Sequence, residues 1–104
     1  MAIDREFIRE HIDNGLYDLT IHADNERLDD GLTISELEYA LSDCDVLEGY
    51  ADNPRGESCL ALGYITNRLP VHVVCGRTKQ NKLLLITVYI PKMPKWRNGR
   101  TRNK

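Results

Sequence analysis

An α+β fold, with two or three N-terminal helices packed on a four-stranded antiparallel sheet, is predicted by three features of this 104-residue sequence. Up to about Asp43, apolar residues recur at helical spacing. From Asp45 the pattern changes to short β-rich runs bounded by turn formers. The links between those runs are short, which favours an antiparallel meander over crossover connections. The length implies one domain with a single core.

Residues 3–14 place Ile3, Phe7, Ile8 and Ile12 on one side and Asp4, Glu6, Arg9, Glu10 and Asp13 on the other, an amphipathic helix ended by Asn14-Gly15. Leu19 to Leu28 reads as a second helix, capped near Thr20 and stopped at Asp30-Gly31. Thr33-Ile34-Ser35-Glu36 matches a capping box, and the helix after it buries Ile34, Leu37, Ala40 and Leu41. Val46–Tyr50, Ser58–Ile65, Val71–Cys75 and Leu83–Ile90 are the four expected strands, with an exposed loop at Asp52-Asn53-Pro54-Arg55-Gly56. On the last strand Leu84, Ile86, Val88 and Ile90 are expected to face the helices, leaving Leu85, Thr87 and Tyr89 opposite. His72 shares a face with Val74, and the strand register decides whether that is Tyr89's face. Pro91 to Pro94 ends the sheet.

The net charge of -2 hides an asymmetry: residues 1–54 sum to -12 and residues 55–104 to +10. Such a chain can present a positive surface to a polyanion, or its two halves can lie together and compensate. Cys44, Cys59 and Cys75 are odd in number, far apart in sequence and in no Cys-x-x-Cys pair, so they read as reduced thiols rather than a disulfide framework or zinc knuckle. A metal site from His22, Cys59 and His72 would lack the local spacing of zinc ligands, and no cofactor is expected. No run of about 18 apolar residues occurs, and Met1-Ala2-Ile3-Asp4-Arg5-Glu6 lacks the order of a signal peptide, so the expectation is a cytoplasmic protein with no membrane partner.

Several residues carry possible chemistry. On a helix His22 and Glu26 share a face, so the carboxylate either orients the imidazole and raises its pKa, or the histidine pins two helices together. Arg55 at the mouth of its loop either grips a phosphate or carboxylate, or bridges to an acid of the first helices. The tail adds Lys92, Lys95, Arg97, Arg100, Arg102 and Lys104 around Trp96 without an acid. It is either an RNA grip in which the indole stacks on a base, or a solubilising extension.

The set His22-Ala23 with Glu26-Arg27, Asp30-Gly31-Leu32-Thr33, Arg55-Gly56-x-Ser58-Cys59-Leu60-x-Leu62-Gly63, Pro70-Val71-His72-Val73-Val74 and Ile86-Thr87-Val88-Tyr89-x-Pro91 before Trp96 resembles a family of small bacterial domains of formally unknown function. Members are often encoded beside an MqsA/YgiT-type zinc-finger antitoxin. Where the family pattern has Arg four residues after the His, this chain has Glu26 followed by Arg27. The resemblance implies a RelE/ParE-like toxin domain over residues 1–97, with helices against a curved antiparallel sheet, and a basic tail over 98–104. It also implies RNA cleavage, possible action on the ribosome, and a cognate antitoxin as partner.

Metal-independent cleavage needs a base for the 2′-OH, a cation for the charge on phosphorus and an acid for the leaving oxygen. His72 is the expected base or acid, His22 tuned by Glu26 its counterpart, and Arg55 the cation with Arg27 as substitute. Tyr89 would donate a proton or stack on a base, and Lys92, Lys95, Trp96, Arg97 and Arg100 would hold the RNA. The alternative is a non-catalytic protein- or nucleic-acid-binding module using the same basic face.

Overall fold

The computed structural model describes residues 3–50, 56–91, 96–97 and 101–102. Helix α1 (Arg5–Asp13) starts where the Asp4 carboxylate accepts from the Phe7 N–H, and it buries Ile8 and Ile12. Strand β1 (Tyr17–Leu19) follows at once, and then α2 (Ile21–Asp29) and α3 (Ile34–Leu41). The Thr33–Glu36 capping box of α3 is complete, each side chain accepting from the other residue's backbone N–H. The remaining main strands are β2 (Asp45–Tyr50), β3 (Ser58–Ile65), β4 (Leu69–Arg77) and β5 (Leu83–Tyr89). A short separate ladder pairs β6 (Trp96–Arg97) with β7 (Thr101–Arg102).

The expected four-stranded antiparallel sheet is corrected to a five-stranded mixed one in the order β1-β5-β4-β3-β2. Strands β2 to β5 do form the antiparallel meander, but β1 adds parallel to β5, with Tyr17 opposite Leu83 and Leu19 opposite Leu85. Leu19 therefore belongs to a strand and not to the second helix. Three residues are too few to display a period of two, so this strand leaves no pattern in the sequence.

The helices cover one face of the sheet. Ile8, Ile12, Ala23, Leu37, Ala40 and Leu41 meet Cys59, Ala61, Val71, Val73, Cys75, Leu83, Leu85 and Val88 in one buried cluster. Helix α3 approaches β3 so closely that a Cβ on Gly63 would lie 2.2 Å from the Ala40 carbonyl oxygen, which explains the glycine.

The inward face of β5 differs from the expectation over half its length. Leu83 and Leu85 point to the helices, and Val88 does too, but Leu84 and Ile86 do not. The cause is a bulge: Val74 pairs with Thr87 while Cys75 pairs with Leu85, so Ile86 is the extra residue and the alternation changes phase there. Thr20 meets this irregular edge, its N–H donating to Leu85 O at 3.0 Å and its hydroxyl to Ile86 O at 2.9 Å. The same hydroxyl accepts from Ala23 N, so one side chain caps α2 and ties it to β5. Among the described residues no helix is long and apolar enough to cross a membrane.

Candidate functional site

Alternation along β4 sends Val71, Val73 and Cys75 to the helices and His72 and Val74 to the opposite face. The register left open by the sequence is resolved: His72 stands between Leu62 of β3 and Tyr89 of β5, so the histidine and the tyrosine share that face. The His72 Nδ1 lies 3.0 Å from the Tyr89 hydroxyl, and the rings meet edge to face at 5.1 Å. If the phenol donates to Nδ1, a neutral imidazole carries its proton on Nε2. The imidazole is wholly buried, at 0 % exposure, as are Leu60 and Leu62 beside it at 1 % each. This second face is therefore also covered, although all three helices lie on the other one.

Other polar groups of the sheet collect on this face. Asp45 pairs with Leu62 and Glu48 with Leu60, which sets them in the rows that hold His72 and Val74, and Tyr50 pairs with Ser58 on the same face. The Tyr50 hydroxyl donates to Glu48. One step along β4 from His72, a cavity of about 290 Å³ opens between Ser58, Val74, Gly76, Leu84 and Ile86, rimmed by Thr20, Glu57 and Arg77. At its rim Arg77 Nη1 lies 3.5 Å from Glu57 Oε1, and the guanidinium sits 4.7 Å above the Phe7 ring. Glu57 also accepts from the Ile3 N–H at 2.9 Å. Mostly apolar walls with a few polar groups are the general character of a small-ligand pocket.

The helix motif forms a second and different site. His22 Nε2 lies 3.2 Å from Glu26 Oε1, and that same oxygen accepts from the Val88 N–H at 2.9 Å. Glu26 thus hooks α2 onto the outer edge of β5 beyond the last β1 pair, with His22 largely in solvent. Arg27 is engaged at the end of its helix, Nε donating to Asp24 at 2.7 Å and Nη1 to Leu32 O, just past α2, at 3.1 Å. His22 thus has Glu26 as its partner at the sheet edge, and His72 has Tyr89 on the face away from the helices. Cys59 faces the helices, so it does not converge with His72 on a shared metal position. Among the described residues no group of three or more His, Cys, Asp or Glu side chains is arranged to hold a metal ion.

Residues 19–90 match the family described as Domain of unknown function (DUF4258). The chain belongs to this family. The DUF4258 match runs from the last residue of β1 to just past β5, and so contains both the His22–Glu26 pair and the His72–Tyr89 pair. No curated protein and no solved structure matches the chain.

Of the other residues singled out from the sequence, Arg55, Lys92, Lys95 and Arg100 lie outside the described residues, and Trp96 and Arg97 are placed as strand β6. Sequence reasoning missed the cavity, since Ser58, Gly76, Leu84 and Ile86 converge only through the register and the bulge. It also missed that Cys59 and Cys75 are direct partners across β3 and β4. The residues 59 and 75 lie equally far from Asn67 in the turn, so hairpin symmetry would have revealed that pairing.

Proposed function

We propose that this DUF4258 domain is the toxin of a type II toxin–antitoxin pair, a RelE/ParE-like mRNA endoribonuclease of the metal-independent kind, held by an MqsA/YgiT-type zinc-finger antitoxin. The observation that carries the reading is the buried imidazole whose Nδ1 is fixed by Tyr89, on the sheet face that also bears the cavity. A fixed tautomer presents one ring nitrogen in a defined protonation role, which is what general acid–base catalysis requires. In this scheme His72 transfers the proton through Nε2 and Tyr89 orients it. Arg55 stabilises the phosphorane, and Lys92, Lys95, Trp96, Arg97 and Arg100 hold the RNA. His22, Glu26 and Arg27 are not used in this scheme: Glu26 docks α2 onto β5, and Arg27 bonds to Asp24 and Leu32 O.

Complete burial of His72 means that a substrate phosphate reaches Nε2 only when the cover of this face is displaced. The same burial favours a second reading, a non-catalytic binding module in which His72 and Tyr89 are a packed structural pair. Induced expression of wild type, His72→Ala and His72→Gln in bacteria, with growth, total RNA and circular dichroism of each purified protein, separates the two. For a nuclease, wild type arrests growth with discrete RNA cuts, and at least one folded variant does neither while still binding RNA. Wild-type protein that leaves growth and RNA intact in the absence of an antitoxin would sink the enzyme reading.

A further inference from the structure

All three cysteines lie in the core under the helices, at 0 to 1 % exposure, and all are thiols. Cys59 and Cys75 are directly opposite across the antiparallel β3–β4 ladder. Directly opposed residues in such a ladder have Cα atoms roughly 4.5 to 5.5 Å apart, inside the span that a disulfide bridges. The interaction between the two thiols lowers the pKa of Cys59 and, with burial, raises that of Cys75. The Cys75 Sγ also lies 3.8 Å from Val73 O.

We infer that Cys59 and Cys75 are a redox modification site, closing to a cross-strand disulfide by exchange with a low-molecular-weight disulfide such as oxidised glutathione. The Cys59 thiolate attacks one sulfur of oxidised glutathione, forming a mixed disulfide and releasing one glutathione thiolate. The Cys75 thiolate then attacks the Cys59 sulfur and releases the second. The protons of the two cysteines pass to the two glutathiones, so one disulfide is reduced as another forms. Cys59 attacks first because its thiol is the more acidic of the two. Burial makes the reaction slow, since the reagent enters only when the β3–β4 core opens. Once formed, the bond ties β4, which carries His72, to β3 from the helix side.

The full chain is oxidised with oxidised glutathione in urea near its unfolding midpoint, so that burial does not limit the rate, and returned to native buffer. Free thiols should fall from three to one. The mass should drop by two hydrogens, and peptide mapping should link Cys59 to Cys75. The oxidised chain should keep its circular dichroism and melt higher than the reduced one, by more than about 10 °C. Cys44→Ser should behave as wild type, and Cys59→Ser should yield no internal link. A dominant link to Cys44, glutathione retained on the chain, thiols still at three, or an oxidised chain that melts lower would each overturn the inference.

Discussion

The two faces of the sheet are built from the same strands and differ in what they are made of. Toward the helices stand Cys59, Ala61, Val71, Val73, Cys75, Leu83, Leu85 and Val88, with no charged group among them. On the other side stand Asp45, Glu48, Tyr50, Ser58, His72, Thr87 and Tyr89 around Leu60, Leu62 and Val74. The first face is fixed by shape, because closely packed helices leave its side chains no room to vary. The second holds ionisable groups that a fold of this size does not need for its core, one of which, His72, is wholly buried at a cost in free energy unless it is hydrogen-bonded. Side chains retained at such a cost are candidates for function.

The largest expected effect breaks the helix face. Gly63→Ala would drive a Cβ into the Ala40 carbonyl, which lies 2.2 Å from its ideal position and belongs to backbone that cannot swing away. A loss of about 3 kcal/mol or more is expected in urea unfolding. Gly49→Ala is the control, since a Cβ there meets nothing within 4 Å, and its effect should stay within about 0.5 kcal/mol. Equal effects at both glycines would mean that α3 does not sit on β3 as described.

A smaller loss is expected on the opposite face. Tyr89→Phe keeps the ring packed edge-on against His72 and removes the hydroxyl from Nδ1. The cost should be about 1 to 2 kcal/mol in the same assay, the range for a buried polar atom that loses its partner. If His72 acts catalytically, the pH profile of RNA cleavage should also shift, because the tautomer is no longer held. A variant as stable as wild type would show that the His72–Tyr89 bond contributes nothing, and the candidate site would lose its anchor.

The contrast between faces also accounts for what the sequence disclosed. Elements whose signal is local were legible: the Thr33–Glu36 box names the start of α3, and Ser58–Ile65 is β3 to the residue. Features made by offsets between distant strands were not. Three residues opposite Leu83–Leu85 suffice for β1, one extra residue at Ile86 reverses the faces of β5, and both depend on pairing rather than composition. His72 and Tyr89 were each visible as unusual groups in apolar runs, but their meeting needed the β4–β5 register. The His22–Glu26 contact was legible because it is four residues along one helix. The Val88 N–H that claims the same carboxylate was not legible, because it depends on how α2 meets β5.

The smallest effect lies at the rim of the helix face, where Tyr17 of β1 donates to Glu38 of α3 at 2.6 Å. Burial first, and then this bond, push the Tyr17 phenol from its ordinary 10.0 up to about 12. A folded-state pKa above the unfolded one means that the protonated form is preferred in the native chain. The stabilisation is therefore complete below pH 10 and is lost as pH rises toward 12. Because the phenol is only partly buried and solvent screens it, the contribution should be under about 1 kcal/mol. Burial also pushes the Cys44 thiol up to about 12, so the comparison is made in a Cys44→Ala background. Adding Tyr17→Phe should flatten the fall in stability between pH 10 and 12 and leave the neutral range almost unchanged. An unaltered slope would mean that the Tyr17–Glu38 bond is not maintained in solution, and that β1 is held to the helix layer by its backbone ladder and apolar contacts alone.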